Sequence, residues 1–158
     1  LPNYLGLDCS TKAVHGILLD EHEDIIMQYK WGSTEKEFID RFPQIIEKFQ
    51  VDLSTIKIID LATVEAAIYI QNPRTTLSIA YVVGAIWSSL SSTNTRSELV
   101  DNRRWKKDIL NKGNAKKPEI KEFAIAKWGD VFKEQDFADA ACIALWGKRR
   151  SIDAETYT

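Results

Sequence analysis

Apolar and polar residues alternate at the start of the chain, and the alternation breaks into three runs. Asn3 to Asp8, Ala13 to Leu19 and Ile25 to Trp31 each have the period of two that a half-buried strand shows. They predict an antiparallel meander, with Cys9-Ser10-Thr11-Lys12 as the first turn. The period then changes. Phe38, Phe42, Ile45, Ile46 and Phe49 recur at helical spacing. Thr34, with Glu37 three residues on, reads as a capping box that starts this helix. Ile56 to Ala62 is almost continuously apolar, the pattern of a strand buried on both faces. The next helix is predicted over 75–90. Leu77, Ala80, Tyr81, Gly84 and Trp87 or Leu90 lie along one side, and Ile79, Val82, Val83 and Ile86 along the other. A helix apolar on two sides is either central to the fold or meets a partner chain. Glu98 to Val100 reads as a short last strand. Pro118 suits the first turn of a helix that runs to about Trp128 and stops at Gly129. A final helix begins at about Asp136.

Strands followed by strand and helix units indicate an α/β domain with a mixed sheet. The length of 158 residues suits one domain, expected over 1–150, with a polar and frayed tail at 151–158. No apolar run approaches the length of a membrane span, and no signal peptide is expected. Cys9 and Cys142 are too few for a disulfide framework or a zinc cluster. They fit a reducing, cytoplasmic setting and read as small buried hydrophobes. His15 alternates with strand residues and reads as a packed or exposed residue rather than a catalytic one. The net charge of −2 argues against a general nucleic-acid binder, but the charge is uneven. Residues 1–65 hold 6 Lys/Arg against 12 Asp/Glu, whereas residues 96–121 hold 9 against 4. Such asymmetry fits a basic contact surface beside an acidic site, and equally a solvated helix and loop.

Four acids stand where acids are costly. Asp8 ends an apolar strand, and Glu65 follows the most hydrophobic strand of the chain. Asp136 and Asp139, three residues apart, share one face of the first turn of an Ala-rich helix. Each has an ordinary explanation when taken singly: an Asx turn for Asp8, an N-cap for Asp136, the helix dipole for Asp139. Together they imply buried carboxylates that repel one another, a conflict that a hard divalent cation resolves.

The segments "YLGLDCSTKAVHGILL", "VEAAIYIQNPRTTLSIAYVVGAI", "GNAKKPEIKEF" and "DFADAACIAL" resemble, in order and spacing, the RuvC family of Holliday-junction resolvases. The resemblance covers almost the whole chain. It implies an RNase H-like fold, a five-stranded mixed sheet flanked by helices. It also implies a homodimer, joined through the helix at 75–90, that nicks a four-way DNA junction symmetrically. Asp8, Glu65, Asp136 and Asp139 would hold two Mg²⁺ ions per site, with Mn²⁺ also supporting activity. One ion would activate a water and the other would stabilise the leaving 3′-oxygen. Lys117 matches a family lysine that neutralises charge on the phosphate. Lys106 and Lys107 both match a second basic position. Lys12, Arg103, Arg104, Lys112 and Lys116 are candidate DNA-phosphate contacts. The family's base-stacking aromatic, three positions after the Glu, is replaced by Ile68, with Tyr69 next to it as the candidate substitute. A bacterial or phage protein is expected, with a lean towards phage.

Three other readings stand beside this one. A nuclease of the same fold acting on flaps or forks would use the same acids. The opening segment also resembles the first phosphate loop of sugar-kinase and actin-like ATPases, but those need a second loop and a second domain. A junction-binding protein with a dead site is the third, and the presence of all four acids argues against it.

Overall fold

The computed structural model describes residues 2–68 and 70–156, with the side chains of 153–156 outside the description. Five strands form one sheet: β1 (Tyr4–Cys9), β2 (Ala13–Leu19), β3 (Ile25–Gly32), β4 (Leu61–Glu65) and β5 (Ser97–Val100). The sheet order is β3-β2-β1-β4-β5, with β1, β2 and β3 antiparallel and β1, β4 and β5 parallel. Helices α1 (Phe38–Thr55) and α2 (Pro73–Ser92) cover one face. Helices α3 (Asn102–Leu110), α4 (Lys117–Trp128) and α5 (Gln135–Thr156) cover the other. This is the RNase H-like arrangement that the resemblance implied.

The alternation along the strands divides the two faces. Leu5, Leu7, Val14, Leu18, Ala62 and Val64 enter the core under α1 and α2. Their neighbours Gly6, Ile17 and Thr63 face α5. Helix α5 lies on the sheet at very short range. A Cβ on Gly6 would overlap the carbonyl of Ala140 and the amide of Ala144, and a Cβ on Gly147 would overlap the hydroxyl of Thr63. Small residues on both surfaces therefore let the helix backbone rest directly on β1 and β4. The β2–β3 turn ties down the other end of α5. There Glu23 meets Lys127, Lys148 and Arg149 at 2.8, 3.3 and 3.2 Å. Burial alone would raise the Glu23 pKa, but the hydrogen bonds from Arg149 and Lys127 hold it down at about 2.

Several expectations need correction. Helix α1 starts at Phe38, and the Thr34 capping box does not form: Glu37 is the N-cap and makes no side-chain cap bond. The segment before it is held as a loop. Arg41 donates to the carbonyls of Thr11, Glu35 and Lys36, and the Ser33 hydroxyl takes the Glu35 amide. Strand β4 spans Leu61–Glu65 rather than 56–62, so Glu65 is its last residue. Pairing with β1 begins at Tyr4 opposite Leu61, which leaves 56–60 with no strand to join. Ile58 in that segment is exposed. The basic stretch forms α3, whose Trp105 and Ile109 are buried. Cys142 is buried as expected, whereas Cys9 is half-buried. Helix α5 continues past Ser151 to Thr156, and residues 157–158 lie outside the described residues.

Helix α2 carries its apolar residues on two sides, as the pattern required. Val82, Val83, Ile86 and Leu90 are buried against the core. Leu77, Tyr81 and Trp87 are exposed, with Gly84 in open space between them. Leu90 therefore belongs to the inner side. Among the described residues, no helix is long and apolar enough to cross a membrane.

The close seating of α5 predicts a large response to volume at its contact. Gly6→Val is expected to cost about 3 kcal/mol or more, as overpacking against backbone does. Thermal unfolding will read this as a drop in Tm. A Tm within a degree or two of the parent would show that α5 moves away freely.

Candidate active site

The carboxylates converge because three elements end at one place. Strands β1 and β4 are parallel, with Leu7 opposite Val64, so Asp8 and Glu65 emerge side by side at their carboxyl ends. The close docking of α5 then sets its first turn above them. Oxygens of Asp8, Asp136 and Asp139 lie within 4.8 Å of one another. Glu65 is oriented from α3, where Trp105 Nε1 donates to its Oε2 at 2.5 Å and Asn102 Nδ2 at 3.1 Å. The buried indole fixes one oxygen of this carboxylate, whose charge bears on Asp8.

The field in this cleft is strongly negative. Burial pushes the Asp8 pKa well above the ordinary carboxylate range, and Glu65, Asp139 and Asp136 push it further. Asp139 is raised to about 7, first by burial and then by Glu65, against hydrogen bonding from Gln135 and the nearby Lys106 ammonium. Buried carboxylates this close require a proton or a cation. Oxygen donors of this kind, partly open to solvent, fit a hard divalent ion.

A second group adjoins the first and shares Asp136 with it. His15 Nε2 and Glu134 Oε2 are 2.5 Å apart, and His15 Nδ1 and Asp136 Oδ2 are 3.8 Å apart. The two groups of candidate ligands, His15–Glu134–Asp136 and Asp8–Asp136–Asp139, are both consistent with divalent-metal use. Sequence reasoning missed His15 and Glu134, together with Trp105 and Asn102. The hairpin contained a signal for His15: the register that follows from a tight β1–β2 turn sets it opposite Asp8. No comparable signal existed for Trp105, because it meets Glu65 only after α3 folds back onto the sheet.

The basic candidates are spread more widely. Lys106 is half-buried, with its ammonium 5.7 Å from the Trp105 ring centroid, and it is the one of the adjacent pair whose charge bears on Asp139. Lys107 is exposed. Lys116 and Lys117 stand exposed at the N-cap and first position of α4, and Lys112 is paired with Glu119 at 2.7 Å. Arg103 is exposed on the first turn of α3, and Arg104 stacks on Trp146 with its guanidinium 5.6 Å from the ring centroid. Lys12 is exposed in the β1–β2 turn. Ile68 is exposed after β4, and Tyr69 lies outside the described residues.

Comparison with solved structures finds the same fold. Thermus thermophilus RuvC in complex with a Holliday junction substrate matches with a TM-score of 0.78 and 14% identity, over 91% of each chain. A second Thermus thermophilus RuvC structure gives a TM-score of 0.77 and 12% identity, over 99% of this chain and 97% of the other. The yeast mitochondrial Holliday junction resolvase Ydc2 gives 0.62 and 16% identity, over 97% of this chain and 82% of that one. No protein-family model matches the sequence, and no curated protein matches it. The chain thus has the RuvC-type RNase H-like fold, and its two groups of candidate ligands are consistent with divalent-metal use.

The raised carboxyls predict a pH effect of definite sign. Asp8 and Asp139 hold their protons more firmly in the folded chain than in the unfolded one. Their stabilising contribution is full below the ordinary carboxylate value and is lost as pH rises through about 7 for Asp139. Without divalent ions, Tm is expected to fall between ~pH 5.5 and ~pH 8, and Asp139→Asn is expected to reduce that fall. Mn²⁺ should raise Tm more at the higher pH. Circular dichroism melts of parent and variant check this, and an equal fall in both would count against it.

Proposed function

We propose that this protein is a divalent-metal-dependent endonuclease that resolves four-way DNA junctions as a homodimer. The observation that carries the proposal is the convergence of Asp8, Asp136 and Asp139 on a RuvC-type fold, with Glu65 on the neighbouring strand close enough for its charge to bear on Asp8 and Asp139. Asp8 is the central ligand, since every other carboxylate of the set bears on it. Two Mg²⁺ ions, or Mn²⁺, would be held by these four residues. When bound, such ions activate a water for in-line attack on the phosphodiester and stabilise the leaving 3′-oxygen. Trp105 and Asn102 hold Glu65 in place for this role. Lys106, whose charge bears on Asp139, would meet the scissile phosphate, and Lys117 is the second candidate for that contact. Lys12, Arg103, Arg104, Lys107, Lys112 and Lys116 supply backbone-phosphate contacts, with Tyr69 the candidate for base stacking.

The outer stripe of α2 supports the dimer. Tyr81 is 61% exposed, and with Leu77 and Trp87 it forms an apolar strip around a glycine that leaves room for a second backbone. A two-fold pairing there would present two active sites to one junction.

Cleavage of an end-labelled four-way junction with Mg²⁺ is the decisive measurement. Paired symmetric nicks are expected, at rates well above those on a fork, a flap or a linear duplex. Faster cleavage of flaps or forks would instead favour a more general nuclease of branched DNA, a reading that the exposed Ile68 after β4 keeps in view. Asp8→Asn is expected to lower cleavage at least about 100-fold while junction binding persists. Near-normal cleavage by that variant would overturn the metal-site reading. Tyr81→Asp is expected to shift the protein to monomer in sedimentation, with loss of paired nicking. A dimer that survives this change and Trp87→Asp would place the interface elsewhere.

A further inference from the structure

One row of side chains crosses the sheet at the site: Asp8 on β1, His15 opposite it on β2, and Lys30 opposite His15 on β3. Glu134, from the turn before α5, reaches onto this row with both oxygens. Oε1 lies 2.6 Å from Lys30 Nζ, and Oε2 lies 2.5 Å from His15 Nε2. The imidazole is only 3% exposed, and its ring packs edge-on to Phe137 at 4.8 Å and 85°. The ring is therefore held on one nitrogen, along one edge and from the strand beneath. Its remaining nitrogen, Nδ1, faces Asp136 at 3.8 Å.

Asp136 needs such a neighbour. It sits on the first turn of a helix with its side chain 43% exposed, so little else stops its carboxylate from rotating. Asp8 bounds it on one side and His15 on the other. We propose that His15 and Glu134 are positioning residues that hold the Asp136 carboxylate over Asp8, so that the ligand oxygens converge before an ion arrives. The proposal rests on the metal-dependent nuclease reading of the site. Lys30 already supplies the cation that Glu134 meets, which makes the His15–Glu134 pair a support for the neighbouring carboxylates rather than an ion site of its own. The distance of 3.8 Å is beyond a hydrogen bond, so the support is steric and electrostatic. Groups that orient metal ligands in this way are worth about 10- to 100-fold in metal affinity.

Mn²⁺ binding to the full chain, by calorimetry and by electron paramagnetic resonance of the free ion, tests the proposal. Glu134→Ala and His15→Ala are expected to weaken binding about 10- to 100-fold. In cleavage assays the loss should fall on the Mn²⁺ concentration for half-maximal rate more than on the rate at saturating Mn²⁺. Glu134→Gln keeps an oxygen for the imidazole and should recover most of the affinity. Glu134 is at the surface, so its variants serve even where His15→Ala folds poorly, as Tm will report. Unchanged Mn²⁺ affinity in folded Glu134→Ala, or a Gln variant no better than Ala, would overturn the positioning role alone. A parent chain that binds no Mn²⁺ would overturn the metal-site reading and this proposal with it.

Discussion

The seating of α5 on the sheet is the constraint on which the rest depends. Gly6 on β1 and Gly147 on α5 remove the side chains that would hold helix and strands apart, and Ala140 and Ala144 complete the smooth contact. A helix placed this close has no freedom to slide or roll without clashing. Asp136 and Asp139 project from its first turn, so the packing of small residues further along decides where two acids stand. The hydrophobic contact and the site are one arrangement: Asp136, Ala140 and Ala144 follow one another at i, i+4 and i+8 along the helix.

That arrangement has an electrostatic cost. Asp8 is pressed by burial and by three other carboxylates, and Asp139 by burial and Glu65. The surrounding residues limit the cost without abolishing it. Trp105 and Asn102 satisfy one oxygen of Glu65, and Lys106 offsets part of the field on Asp139. Glu134 absorbs Lys30 and His15 at the edge. What is left is a group of carboxylates that favours a proton or a divalent cation.

Much of this was legible in the chain. The strand alternation, the two-sided apolar helix at 75–90 and the acids at Asp8, Glu65, Asp136 and Asp139 follow from local period and from the cost of burying charge. The misplacements share a cause. Thr34 and Glu37 have the spacing of a capping box, but Arg41 and Ser33 bind the intervening backbone and delay the helix to Phe38. Ile56 to Asp60 is apolar enough for a strand, but β1 offers it no partner. Local pattern states what a segment can bury, whereas the extent of a strand is set by its neighbour.

His15 marks the division most clearly. By itself the sequence determined an α/β chain with acids at the ends of apolar elements, because period and burial act over a few residues. Which of those acids touch, which lysine of an adjacent pair bears on them, and whether a strand histidine is idle or braces a carboxylate were decided only in three dimensions. Those relations join residues from β1, β2, α3 and α5, and the close packing of α5 on the sheet is what brings them together.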